Sequence, residues 1–315
     1  MILGFDIGGT KCAVITADMN GGEIKLLKKE KCATRFDISP EKMIDGLIRS
    51  AENILDGARP EKIGISCGGP LDSRNGIILG PPNLPGWDEV HISERISRHF
   101  GVPALLQNDA NACAVAEWKF GAGMGADNMV FLTFGTGLGA GLILNGRLYT
   151  GTNDNAGEAG HIRLERFGPV GYGKAGSFEG FCSGGGIAKL GCSMALEALQ
   201  SGRQPAYFKK GMNESDVTAK AIAEAADARD ETAINVYRVC GEHLGAGLSV
   251  LIDILNPEKI VLGSVFARSE HLLRKYAEEV IVREALPQAA KCCKIVPAEL
   301  GEKIGDYAAI ATALL

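Results

Sequence analysis

The sequence predicts an α/β protein made of two related halves. Three observations carry that prediction: strand and helix patterns alternate along the chain, a strand, glycine turn, strand unit occurs twice, and 42 of the 315 residues are glycine without any collagen-like period. Such alternation yields mixed-to-parallel sheets covered by helices. The length and a hydrophobic share of 46% fit two domains with ample core. We expect an N-terminal α/β domain over 1–118, completed by the terminal helix within 300–315, and a larger C-terminal α/β domain over 119–299. A ligand would then lie in the cleft between the halves, where the glycine turns converge.

The first unit begins with a short buried strand, Ile2 to Phe5, which turns through Asp6-Ile7-Gly8-Gly9-Thr10-Lys11 into a hairpin partner, Cys12 to Thr16. An amphipathic helix from Pro40 to Leu55 precedes the strand Lys62 to Ser66, and a helix from His91 to Phe100 precedes the strand Ala104 to Leu106. A helical pattern over Asp109 to Phe120 and a glycine-rich stretch lead to the second copy. There Val130 to Phe134 is a strand, Gly135-Thr136-Gly137-Leu138-Gly139 the turn, and Ala140 to Leu144 the returning strand. Long helices follow over Val217 to Asp227 and Thr232 to Leu255, the latter stopped by Asn256-Pro257. The strands Lys259 to Gly263 and Lys294 to Pro297 and a terminal helix, Asp306 to Leu314, complete the pattern.

Composition narrows the function classes. Asp and Glu outnumber Lys and Arg 38 to 33, a net charge of −5, which argues against a protein that coats nucleic acid or anionic membrane. Nine cysteines, at 12, 32, 67, 113, 182, 192, 240, 292 and 293, show no C-x-x-C spacing and sit mostly in apolar surroundings, so they read as free thiols in a reducing compartment. No secretory leader pattern opens the chain, and its most apolar stretch, Met129 to Leu144, is broken by Gly and Thr. A cytoplasmic protein without nucleic-acid or membrane partners is expected.

The two glycine turns have the chemistry of phosphate recognition. Backbone N–H groups at Gly8 and Gly9 can approach an oxygen-rich ligand closely, Thr10 adds a hydroxyl, Lys11 a charge, and Asp6 can hold a hydrated cation. Gly135, Thr136, Gly137 and Gly139 repeat the donors without the lysine. Either turn alone also reads as a plain hairpin turn; together they could clamp a nucleotide triphosphate. Neither matches the P-loop pattern or opens into a helix as a dinucleotide turn does. In Asn108-Asp109-Ala110-Asn111-Ala112, Asp109 can cap a helix or act as a general base at a strand end. Phosphoryl transfer needs one such carboxylate near the attacking hydroxyl. Glu158 and His161, with Glu179 downstream, form a polar loop cluster suited to a sugar, and Asn83 in Pro82-Asn83-Leu84-Pro85-Gly86-Trp87 either reaches the same ligand or belongs to a packed turn.

These segments, in this order, resemble the ROK family of sugar kinases and sugar-responsive repressors, and Asn256 to Gly263 and Gly305 to Ile310 resemble its C-terminal signatures. The resemblance implies the actin/hexokinase-like (ribonuclease H-like) fold and ATP with Mg2+ held by the two glycine turns. It implies Asp109 as the base that deprotonates a hexose hydroxyl, most often the 6-hydroxyl, and Gly69, Asn83, Asn108, Asp109, Glu158, His161 and Glu179 as sugar-binding residues. It also implies a homodimer. One departure stands out: the family's C-x-C-G-x-x-G-C-x-E stretch, whose thiolates join the histidine around a structural zinc, is here Val170 to Glu179, with Val170, Tyr172 and Ser177 at the thiolate positions. No structural zinc is expected, with the loop held by packing of Tyr172 and Phe178. A sugar-sensing regulator is disfavoured because the first glycine turn begins at Asp6 and leaves no room for a helix-turn-helix module before it. A catalytically weakened sugar-binding protein is disfavoured because Asp6, Lys11 and Asp109 are all in place. The identity of the hexose or N-acetylhexosamine does not follow from the sequence.

Overall fold

The computed structural model describes residues 1–209 and 211–315. The chain divides into two compact units, one formed by Met1–Asp127, Gly141–Ala156 and Glu299–Leu315, the other by Asn128–Ala140 and Gly157–Ala298.

In the first unit β1 (Ile2–Ile7) and β2 (Lys11–Asn20) form the expected antiparallel hairpin, with Ile7 opposite Cys12, and β3 (Glu23–Ala33) extends the meander. The strand β3 is absent from the sequence reading because its lysine-rich stretch lacks an apolar run; it is an edge strand whose side chains are mostly exposed. On the other side of β1, β4 (Lys62–Cys67) and the strand Ala104–Asn108 pair in parallel, giving the order β3, β2, β1, β4, Ala104–Asn108. Leu3, Phe5 and Ile7 point to one face, where they pack with Met43, Ile44 and Leu47 of α1 (Pro40–Leu55) and Ile92 and Ile96 of α2 (Ile92–Phe100). Ser39 starts α1 by accepting the Lys42 N–H, with Pro40 in the first turn.

The opposite face receives the terminal helix Ile304–Thr312, in a cluster with Ile2, Ala13, Ile15, Ala309 and Ile310. Gly4 and Gly64 are register partners on β1 and β4, directly beneath this helix. A Cβ on Gly64 would overlap the Ala309 carbonyl and the Ala313 amide, so the absence of a side chain lets the helix lie on the strand backbone. The strand Ala104–Asn108 runs without a loop into α3 (Asp109–Phe120).

In the second unit Lys259–Leu262 lies between Met129–Leu132 and Lys294–Pro297, both parallel to it. The first of these stops two residues earlier than the sequence suggests, because Phe134 takes a left-handed φ of 33° and starts the glycine turn. The helix Glu231–Leu255 ends on Asn256 in a left-handed conformation, just before Pro257. Two long helices were not read from the sequence, Gly184–Gln200 and Ser264–Glu284. The first begins with three glycines, which argue locally for a loop; Ser183 overrides them by accepting the Gly186 N–H as a cap. All nine cysteines are free, with Cys12, Cys67, Cys182 and Cys240 buried and Cys292 exposed. Among the described residues no helix is long and apolar enough to cross a membrane.

Candidate active site

In the first unit the carboxyl ends of β1, β4 and Ala104–Asn108 gather the candidate residues. Asn108 closes the last strand and caps α3, its Oδ1 accepting the Ala110 N–H at 3.0 Å. The same N–H reaches Asp109 Oδ1 at 2.8 Å. Gln107 Oε1 accepts the Asn108 N–H at 2.9 Å and the buried Asn111 amide at 3.1 Å, which fixes the backbone from which Asp109 projects. Asp109 itself is exposed. Dense protein around it nonetheless desolvates the carboxylate and raises its pKa, against the opposing pull of the backbone N–H groups of Ala110 and of Asp109 itself.

Gly69 lies so close to the Asn108 Nδ2 that a Cβ there would come within 2.9 Å, and a Cβ on Gly9 would strike the Asn83 backbone. Gly68, next to Gly69, links the two pairs, since a Cβ there would lie 3.4 Å from the Asn83 side-chain amide; Asn83 is exposed in a loop anchored by fully buried Leu84 and Trp87. In the first glycine turn the Gly8 N–H is taken by the Lys11 carbonyl at 3.2 Å. Among the described residues the N–H groups of Gly9 and Thr10 have no acceptor, and the Thr10 and Lys11 side chains are exposed. At the end of β1, the pKa of Asp6 is raised to about 6, first by burial and next by the carboxylate of Asp306; Lys29 opposes this, Asp109 adds to it and Lys11 opposes it more weakly. Asp306 and Lys29 have no role in the sequence reading. Lys29 on β3 is ion-paired with Asp306 in the first turn of the terminal helix, across 277 residues of chain. The adjoining Gly305 lies against Asp6, where a Cβ would sit 2.9 Å from Oδ2. The only local signal for this contact is the Gly305-Asp306 pair in the C-terminal signature.

In the second unit the glycine turn is closed by Gly135 N–H to Gly137 carbonyl, 2.9 Å, and by Gly139 N–H to Thr133 Oγ1, 2.9 Å. Leu138 donates its N–H to Glu179 Oε2 at 3.0 Å, so Glu179 braces this turn with one oxygen. The N–H groups of Thr136 and Gly137 have no acceptor among the described residues, and Thr136 is exposed. The start of the helix Gly184–Gln200 adjoins the same turn, with Gly184 donating to the Gly135 carbonyl at 2.7 Å. The positive end of this helix is thus presented to the glycine turn, a feature that three glycines after a serine could have signalled. Glu158 and His161 are exposed on one 3-10 turn, Ala159–His161 with Glu158 before it, and Glu179 is half-buried on the short helix Phe178–Phe181.

The loop around Glu179 differs in one respect from the sequence expectation. Phe178 is fully buried with its ring against Gly247, but Tyr172 is 75% exposed at a left-handed φ of 42° and does not pack as a core residue. Its ring only approaches His161 edge-on, at 6.4 Å between centroids.

Comparison with known proteins agrees along the whole chain. The family model described as ROK family matches residues 2–314. A glucokinase of Halalkalibacterium halodurans is 33% identical over 96% of this chain and 92% of its own length. A ROK family glucokinase from Streptomyces griseus, solved in complex with glucose and AMPPNP, is 28% identical with a TM-score of 0.77 over 99% of both chains. A ROK family transcriptional regulator, a homologue of the Escherichia coli MLC protein, is 27% identical with a TM-score of 0.84 over 99% of this chain and 78% of its own. The two sheet-bearing α/β units have the actin/hexokinase-like fold of the ROK hexokinases. By fold and by a match that spans its length, the chain belongs to the ROK family.

Proposed function

We propose that the protein is an ATP-dependent hexose kinase in which Asp109 is the general base. The single observation that carries the reading is the Asp109 carboxylate, exposed next to Asn108 at the end of a strand, with its pKa raised by desolvation. A solvent-reachable carboxylate with raised basicity suits proton abstraction better than a purely structural cap does. As the sugar oxygen bonds to the γ-phosphorus and the bond to the β-γ bridging oxygen breaks, Asp109 takes the hydroxyl proton and ADP leaves. Asn108 and Asn83 hold the sugar next to the base, and Glu158, His161 and Glu179 read further hydroxyls. Glu179 does so with the oxygen not engaged by Leu138.

The N–H groups of Gly9, Thr10, Thr136 and Gly137, the Thr10 hydroxyl and Lys11 are the phosphate donors. The donor set fits magnesium brought in with the nucleotide. Asp6 accepts no hydrogen bond among the described residues, and its burial beside Asp306 leaves a carboxylate that a cation would stabilise. Bound there, Mg2+ would supply neutralisation of phosphate charge. The names of the relatives support glucose as the first substrate to try, although the family includes regulators. The test is ADP release from ATP and Mg2+ over a panel of hexoses and N-acetylhexosamines. Sugar-dependent ADP release with a sugar 6-phosphate as product is expected; sugar binding without turnover across the panel would make this a sensing protein instead.

A further inference from the structure

The segment His161 to Cys182 carries His161 and Glu179, and its donor set does not fit the zinc ion that the family resemblance implies. Val170 offers no ligand atom and Tyr172 points to solvent. Ser177 is fully buried, with its hydroxyl donated to the Gly171 carbonyl at 3.4 Å and accepting the Gly180 N–H at 3.1 Å. His161 then has no thiolate beside it, and no group of three ligating side chains is present among the described residues.

We infer that this chain replaces the metal with a staple of its own, in which Ser177, Lys174, Arg163 and Lys189 position Glu179 and His161. The contacts converge on that segment. Ser177 caps the short helix that bears Glu179, whose flanking Phe178 is locked against Gly247. Lys174 Nζ donates to the His161 carbonyl at 2.7 Å, and Arg163 donates to the Ala175 carbonyl at 2.7 Å. From the helix Gly184–Gln200, Lys189 Nζ donates to the Val170 carbonyl at 2.8 Å. Three cations thus sit on carbonyls of the loop that a metal would otherwise cross-link, and backbone bonds from Phe178 to Ile162, 2.8 Å, and from Leu164 to Gly176, 2.9 Å, close the ring. Charge-assisted bonds to carbonyls are the stronger class of hydrogen bond, and several in one short segment order it without a metal. Because Glu179 also braces Leu138, the staple reaches the second glycine turn; that turn has further ties at Gly135 and Gly139, so it depends less on Ser177 than Glu179 does.

The inference rests on the kinase reading, and the experiment separates the two. Steady-state kinetics of Ser177→Ala and of the surface variant Lys174→Met are measured against wild type, with thermal midpoints to verify folding and metal analysis of the wild-type protein. Ser177→Ala is expected to raise the sugar KM about three- to tenfold, with a smaller rise in the ATP KM, as loss of one buried cap predicts. Lys174→Met moves the sugar KM in the same direction by about twofold, Lys174→Arg restores it, and kcat stays near wild type in both. Zinc is far below one per chain, and phenanthroline leaves activity unchanged. Wild-type sugar KM in both folded variants, or stoichiometric zinc that resists dialysis, overturns the staple. Absence of turnover in the wild type refutes the kinase reading instead.

Discussion

Asp109 and Asp6 are two carboxylates that their surroundings make hard to ionise. With Asp109 as the base, kcat/KM falls with acid through a pKa above the ordinary aspartate range, because protonation removes the acceptor; a pH profile flat down to pH 4 would contradict that role. Asp6 has a measurable cost in the unliganded protein. Its pKa in the fold is about 6, above that of an unfolded aspartate, so ionisation penalises the folded state above pH 6 and the penalty disappears as pH falls below the unfolded value. Asp6→Asn should therefore raise the unliganded stability at pH 8 by on the order of 2–3 kcal/mol, raise it little near pH 4, and abolish turnover. Thermal melts at both pH values check the sign. Asp6, Asn108 and Asp109 could be singled out from the sequence because each lies in a short motif whose chemistry is local, and the fold places them at strand ends of the first unit. Lys29 and Asp306 could not, because the ion pair joins an edge strand to the terminal helix and no local pattern carries such a contact.

At the scale of elements, the terminal helix is what brings Asp306 to Asp6, and two features hold it. Gly64 leaves room for the helix on β4, so Gly64→Ala should destabilise the fold by about 2–3 kcal/mol or more, since the added methyl meets backbone atoms that cannot swing aside. Urea unfolding checks this, and a change under about 0.5 kcal/mol would contradict the packing described. The second feature is Glu117 on α3, completely buried, whose carboxylate accepts the N–H groups of Ala122 at 2.9 Å, Glu299 at 3.0 Å and Leu300 at 2.9 Å. Glu117→Gln turns one acceptor into a donor facing these N–H groups and should cost about 2–4 kcal/mol. Helix and strand periodicity revealed most elements, including α1, α3 and Glu231–Leu255, because their apolar spacing is regular. It missed β3, where lysines dominate, and Gly184–Gln200, where a cap outweighs three glycines; in both, the deciding partner lies elsewhere in the fold or in a single side chain.

For the whole molecule, the two strand and glycine turn units give each compact unit its own set of backbone N–H groups that have no acceptor among the described residues, at Gly9 and Thr10 in one and at Thr136 and Gly137 in the other. Family membership alone does not decide between kinase and regulator, because both kinds of relative match over nearly the whole chain. A catalytic role for Asp109 would separate them. The most direct measurement compares Asp109→Asn with wild type for turnover and, by calorimetry, for affinity toward the sugar that supports turnover. Phosphoryl transfer with Asp109 as base predicts a kcat lower by about 10³-fold or more with sugar affinity within about tenfold. A variant that keeps turnover within about tenfold of wild type would contradict the account.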